Sequence, residues 1–260
     1  MIKNIFESNT PKQQVLDLLK SIETGDQGPI ASINPDRYIQ HNLTVADGLA
    51  GFGEVLSHLP KGSARVNTVR VFQDADLVFA HTDYNFFGPK VGFDIFRFEE
   101  GKIVEHWDNL QEKSSGPNPS GHTMLDGPTE ATDLDKTEQN KALVRNWVDD
   151  FFNGRAPKFA GYFDGDNYIQ HNPQIGDGLT GLVAAFEAMK KQGMTLKFEK
   201  IHKVLGEGNF VLVLIEAVFS GQPTSFYGLF RVEDGKIAEH WGTMETIPDK
   251  KEWKNSNGKF

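Results

Sequence analysis

Tyr38-Ile39-Gln40-His41-Asn42 returns, residue for residue, as Tyr168-Ile169-Gln170-His171-Asn172, and each copy runs on into Asp-Gly-Leu, at 47–49 and 177–179. Farther along, Gly101-Lys102-Ile103-Val104-Glu105-His106-Trp107 returns at 235–241 with alanine in fourth place. The first pair is offset by 130 residues (38 to 168) and the second by 134 (101 to 235), so the second copy carries a few extra residues between the motifs. Two matches in the same order define a duplication, and a period this long belongs to a domain rather than to a solenoid. The copies are expected at 1–125 and 130–260. Between them, residues 113–135 are rich in Gly, Pro, Ser and Thr without periodicity and read as a linker.

Composition bounds the class. Half of 260 residues is enough to bury a core without staples. Cysteine is absent, which excludes a disulfide framework, a thiolate nucleophile and Cys-ligated metal. A formal charge of −9 argues against a nucleic-acid surface, which needs a basic stripe. No run of 18 apolar residues is present, so no membrane helix is expected. The first residues carry no apolar signal region, and a cytoplasmic location follows by default. Phenylalanine is abundant, at 20 residues, which suggests broad apolar walls.

Each copy reads in the same order. A helix is expected from Pro11 to about Ile22, and from Thr137 to about Phe152, where Leu143, Val144, Trp147 and Phe151 recur at spacings of three and four. The repeated pentapeptide follows, then a short helix, then four strand-like runs. The last two runs are joined by Glu99-Glu100-Gly101 and Glu233-Asp234-Gly235, Gly-containing hairpin turns. Helices followed by an antiparallel meander predict an α+β class, with helices on one sheet face.

These residues resemble a known group. The pentapeptide, the hairpin Phe-Arg-x-Glu-x-Gly-Lys-Ile-x-Glu-His-Trp, and the tail Asn118-Pro119-Ser120-Gly121-His122-Thr123-Met124-Leu125-Asp126-Gly127-Pro128-Thr129 are similar to the SnoaL-like (polyketide cyclase-like) group of the nuclear transport factor 2-like superfamily, here twice in tandem. The resemblance implies a cone-shaped fold, a curved antiparallel sheet wrapped on helices with a pocket in its mouth. It implies polyketide cyclases performing an aldol closure, with ketosteroid isomerases, epoxide hydrolases, dehydratases and non-catalytic proteins as relatives. Single-domain relatives pair as dimers, so the two domains are expected to pair with each other. The fold hosts many chemistries and does not select one.

The copies differ where chemistry is expected. The hairpin offset matches Asp94 with Gly228, Asp108 with Gly242 and His81 with Ile215, whereas His41 and His171 are both retained. Domain one therefore has the fuller polar pocket, and domain two reads as degenerate. Strand alternation puts Val104, His106 and Asp108 on one face and Ile103, Glu105 and Trp107 on the other. The resemblance implies an acid/base role for Asp108. A carboxyl group in an apolar pocket has its pKa raised by desolvation and suits proton transfer near neutral pH. Asp94, on the partner strand, is its expected companion. His81 and His41 complete the catalytic candidates, although retention of His41 in both copies also fits a structural role. His106 and His240, kept in both copies, read mainly as fold elements. Candidate ligand-contacting residues are Tyr38, Phe93, Phe96, Trp107, Tyr168, His171, Tyr227 and Trp241.

No nucleotide-binding glycine loop and no Gly-x-Ser-x-Gly elbow is present, and no cofactor is expected. The candidate His and Asp residues lack the close spacing of helical metal motifs, and no metal is expected either. The expected partner is a small, largely apolar carbonyl compound, with aldol-type cyclisation or isomerisation in domain one. The alternative is a ligand-binding or scaffold protein acting as an internal pseudo-dimer. An epoxide hydrolase would need an Asp-Arg-Asp set, but Arg97, three residues after Asp94, falls on the opposite strand face.

Overall fold

A computed structural model describes residues 10–59, 62–154 and 160–260. The first repeat contains α1 (Pro11–Thr24), β1 (Ile39–Gln40), α2 (Gly48–His58), β2 (Arg65–Asp74), β3 (Leu77–Asn85), β4 (Pro89–Glu99) and β5 (Lys102–Glu112). The second contains α3 (Thr137–Phe152), β6 (Ile169–Gln170), α4 (Gly178–Lys191), β7 (Leu196–Glu207), β8 (Phe210–Phe219), β9 (Gln222–Glu233) and β10 (Lys236–Thr246). The class is α+β, as expected. Among the described residues, no helix is long and apolar enough to cross a membrane.

Local chemistry sets the element ends. Thr10 accepts from Gln13 N, Pro11 opens α1, and Gly25 closes it with a left-handed φ of 73°. The β4–β5 turn places Glu100 and Gly101 at positive φ, and Asp234 and Gly235 repeat this between β9 and β10. Two successive positive-φ residues match the twist of a tight hairpin.

The strand order is β1-β5-β4-β3-β2 in one sheet and β6-β10-β9-β8-β7 in the other. The four long strands form the expected antiparallel meander. The pentapeptide adds a short parallel strand, so each sheet is mixed. Ile39 pairs with Glu105 and Gln40 with His106; Ile169 pairs with Glu239 and Gln170 with His240. The two repeated motifs are thus hydrogen-bonded neighbours, which accounts for their joint repetition. Val15, Leu18 and Leu19 of α1 pack with Tyr38, Val78, Ala80, Tyr84, Phe96 and Ile103 of the first sheet. Val144 and Val148 of α3 pack with the matching face of the second.

Two details of the register depart from simple alternation. Arg97 pairs with Glu105 but Phe98 pairs with Ile103, leaving Val104 as an extra residue. This bulge reverses the parity of β5, and Ile103 lies in the helix-side core on the face of His106 and Asp108. Ala238 is the extra residue of the same bulge in β10. In addition, Ala80 faces Asp94 while Val213 faces Gly228. The counterpart of His81 is therefore Leu214 rather than Ile215.

The chain divides into two compact units, residues 1–112 with 248–260, and residues 113–247. These cut the chain differently from the repeat. The stretch after β5 packs with the second sheet, and the stretch after β10 packs with the first. Asn118 Nδ2 donates to the carbonyls of Gln170 and Ile175. In the first unit, Asn255 Nδ2 donates to the carbonyls of Asn42 and Val45, and Asn257 Nδ2 donates to that of Gln40. The contact is close at Gly127, with φ 96°, where an added Cβ would stand 2.5 Å from Glu239 Oε1.

Candidate functional site

Register places Asp94 directly across from Asp108 on the helix-side face of the first sheet. His106 lies one pleat along on the same face, and its Nε2 is 3.2 Å from Asp94 Oδ1. Ligand atoms of Asp94, His106 and Asp108 all lie within 4.8 Å of one another. Each residue is 5% exposed, so both carboxyl groups are desolvated.

Polar groups flank both acids. Tyr84 Oη donates to Asp94 Oδ2 at 2.7 Å. Asn42 Nδ2 donates to Asp108 Oδ2 at 2.6 Å, and Lys259 Nζ lies 3.4 Å from Asp108 Oδ1. His106 Nδ1 meets Gln40 Oε1 at 2.9 Å. Burial pushes the Asp94 carboxyl above its ordinary range; the bond to His106 opposes that push and the nearby Asp108 adds to it. Burial also raises the Tyr84 phenol, with Asp94 adding to the effect, so Tyr84 stays a neutral donor. The arrangement offers a carboxyl group whose proton affinity is raised beside a carboxyl group whose two oxygens both accept.

The second unit keeps the frame and lacks the acids. Gly242 faces Gly228 across β9 and β10, and His240 Nδ1 still meets Gln170 Oε1 at 2.9 Å. A Cβ built on Gly228 or Gly242 would stand 3.2 Å from His240 Nε2, so the ring packs over the glycines. Burial, with the charge of His171 next, lowers the His240 pKa to about 3.

Not all candidates gather at the acids. Tyr38 and Phe96 do: both belong to the helix-side core, and the Phe96 ring stacks on His106 at 4.6 Å. His81 does not, because its register partner is Phe93 and not Asp94. Adjacent residues of a strand point to opposite faces, so His81 and Phe93 lie on the far face, stacked at 4.3 Å. His41 is also on that side. Its ring stacks on Trp107 at 4.6 Å, Nε2 meets Glu105 Oε1 at 2.9 Å, and Nδ1 meets the Gly258 carbonyl at 2.8 Å. Arg97 Nε donates to the other Glu105 oxygen at 2.7 Å. Burial opposes ionisation of Glu105, but the bonds from His41 and Arg97 outweigh it and hold that carboxyl below its ordinary range.

The second unit repeats this group. His171 Nε2 meets Glu239 Oε1 at 2.8 Å, Arg231 Nε donates to Glu239 Oε2 at 2.7 Å, and His171 stacks on Trp241 at 4.6 Å. An arrangement shared by both units, with both histidine nitrogens facing acceptors, is a bracing element. Trp241 and Tyr227 share the far face of the second sheet with this group. Tyr168 lies in the helix-side core, its hydroxyl accepting from Gln170 Nε2 at 3.0 Å.

Sequence reasoning missed four members of the cluster: His106, Asn42, Tyr84 and Lys259. For His106 the signal existed, since alternation put it on the face of Asp108. Its retention in both copies concealed a changed environment. Asn42 adjoins His41 inside the repeated motif. Tyr84 has the parity of Ala80, whose partner is Asp94. Lys259 is 151 residues from Asp108, and nothing local marked it.

Two groups of described residues have the reach to hold a metal ion: Asp94, His106 and Asp108, and His122, Asp126 and His171. In the first, the Lys259 ammonium already supplies a positive charge beside Asp108. In the second, His171 Nδ1 faces the Thr123 carbonyl at 2.8 Å and His122 Nε2 faces Asp177 at 3.1 Å, so the ring nitrogens are engaged.

Residues 144–240 match a family model described as a SnoaL-like domain. A search of curated proteins returned no match. Solved structures similar to one unit's length include a provisionally named ketosteroid isomerase from Kribbella flavida, 21% identical, covering 44% of this chain and 83% of that one, with a TM-score of 0.36. A nuclear transport factor 2-like protein of unknown function from Cytophaga hutchinsonii is 20% identical, covering 46% and 95%, at 0.34. A provisionally named polyketide cyclase from Sinorhizobium meliloti is 17% identical, covering 39% and 94%, at 0.35. The family match lies wholly within the second unit. The first unit repeats its strand order, its bulge and its pentapeptide pairing.

Proposed function

We propose that the first unit performs acid/base chemistry at a carbon next to a carbonyl group, on a small and largely apolar compound. Asp108 takes the proton from carbon, and Asp94, with His106 and Tyr84 behind it, gives a proton to the carbonyl oxygen. Return of the proton from Asp108 to a second carbon conjugated with the enol, with the enol O–H proton going back to Asp94, completes an isomerisation; attack of the enol carbon on another carbonyl, with the enol O–H proton going back to Asp94 and the proton on Asp108 passing to the new alkoxide, completes an aldol closure. Positioned acid/base groups contribute about 10²–10⁴-fold to such steps. The observation that carries this reading is the cross-strand Asp94–Asp108 pair on the helix-side face, set against the Gly228–Gly242 pair in a second unit that otherwise keeps the frame. Tyr38 and Phe96 supply apolar surface beside the acids.

The test is deuterium wash-in. A panel of apolar ketones, beginning with β-tetralone, is incubated in D2O with wild type and with Asp108→Asn, and α-proton signals are followed by NMR. Loss of those signals with wild type, slowed at least 100-fold in the variant, supports the reading. A ketone that binds both proteins, shown by thermal shift, and exchanges with neither moves the assignment to a ligand-binding protein. We also propose that the two repeats pair within one chain; sedimentation at the mass of two chains would contradict this.

A further inference from the structure

The tail after β10 brings a buried cation to a site 151 residues upstream. Lys259 is 4% exposed, and a charged side chain is almost never buried unless paired. Its ammonium lies 3.4 Å from Asp108 Oδ1. Three anchors hold the tail there: Asn255 on the carbonyls of Asn42 and Val45, Asn257 on that of Gln40, and the Gly258 carbonyl on the ring of His41.

The internal repeat provides a comparison. In the second unit, the carbonyl that meets the same histidine nitrogen belongs to Thr123. The next residue there is Met124, buried like Lys259. Where the first unit has Asp108 and a tail lysine, the second has Gly242 and a tail methionine. The cation is present where the acid is present and missing where it is missing. A tail that only covered the core would gain nothing from a lysine, because methionine fills the same place without the cost of desolvating a charge.

We infer that Lys259 is a positioning residue of the first unit's site: the C-terminal tail carries the cation that orients Asp108 for proton abstraction. With Asn42 on one oxygen and Lys259 on the other, the carboxyl plane is held from two sides, and preorganisation of this kind is what proton transfer requires. This inference rests on the acid/base reading above, and its test separates the two.

Full-length wild type, Lys259→Met, Asp108→Asn and the double variant are unfolded in urea. Coupling is expected: the double variant's unfolding constant should differ at least tenfold from the product of the single effects. Wash-in on β-tetralone is then compared for Lys259→Met and Lys259→Arg, both verified as folded by circular dichroism. Methionine should slow exchange at least tenfold and arginine should retain a third or more. Additive stabilities overturn the inference, as does a Lys259→Met variant that exchanges like wild type, because the tail is then only a cover. Coupling without any wash-in by wild type overturns the acid/base reading and leaves the ion pair as a structural link.

Discussion

Acid should weaken the second unit through one side chain. His240 titrates near 6.5 in an unfolded chain and at about 3 in the folded one, because burial and then the charge of His171 oppose its protonation. Below pH 6.5 the unfolded chain binds a proton at position 240 that the folded chain refuses. Stability is therefore intact above pH 6.5 and is lost as pH falls toward 3. Each pH unit in that window removes about 1.4 kcal/mol, so the complete loss is about 5 kcal/mol, an upper bound because the ring keeps some surface. Between pH 7 and pH 4.5 the loss attributable to His240 is about 2.7 kcal/mol. For an m-value of about 1.5–2 kcal/mol per molar urea, the midpoint falls by about 1.5 M. His240→Gln removes the titration and keeps a donor for Gln170. Urea unfolding is followed at both pH values by ¹⁹F NMR of fluorotryptophan, in which Trp241 reports the second unit. The variant's midpoint should fall about 1.5 M less than that of wild type. A fall equal to the wild type's would refute the reasoning.

Three further outcomes are expected. Asp94 lies above its ordinary range, so the folded chain binds its proton more tightly than the unfolded one. Wild type then loses stability as pH rises from about 3.8 through the raised value, at about 1.4 kcal/mol per pH unit. The advantage of Asp94→Asn should grow with pH over that window, and a constant difference in urea midpoints would contradict it. Glu239→Gln breaks a pair buried more deeply than that of Glu105, with glutamate side chains 2% and 16% exposed. It should cost about 3 kcal/mol or more and exceed Glu105→Gln in the same denaturation assay. Gly127→Ala should lower stability by about 2 kcal/mol or more, because φ is 96° and the Cβ meets Glu239. Gly116→Ala, with nothing within 4 Å, should change the melting temperature little.

Much of this architecture is written in the repeat. The duplication predicts two like units, and the offset between hairpins predicts that Asp94 and Asp108 become Gly228 and Gly242. Register then makes each a cross-strand pair. Alternation fails where a single residue is inserted. The bulge at Val104 moves Ile103 to the core face, and its only local trace is a valine among otherwise regular pairs. The β3–β4 hairpin is one residue shorter than its counterpart, which shifts the match of His81 and hid the fact that it points away from the acids. Retention in both copies meant different things for His41 and His106. Retention marked both as structural; His41 braces Glu105 in each unit, whereas His106 acquires Asp94 in the first unit alone. Lys259 was illegible because a contact across 151 residues depends on where the tail is anchored.

The reciprocal placement of the tails separates genetic position from structural damage. A chain stopped after Ile247 would retain every described strand and α-helix of both repeats. It would nevertheless lose the anchors on Gln40, Asn42 and Val45 and the ammonium beside Asp108, all in the half made first. The side-chain cluster of the first unit is finished by residues that follow the whole second repeat, so it cannot be complete until the second repeat has been made.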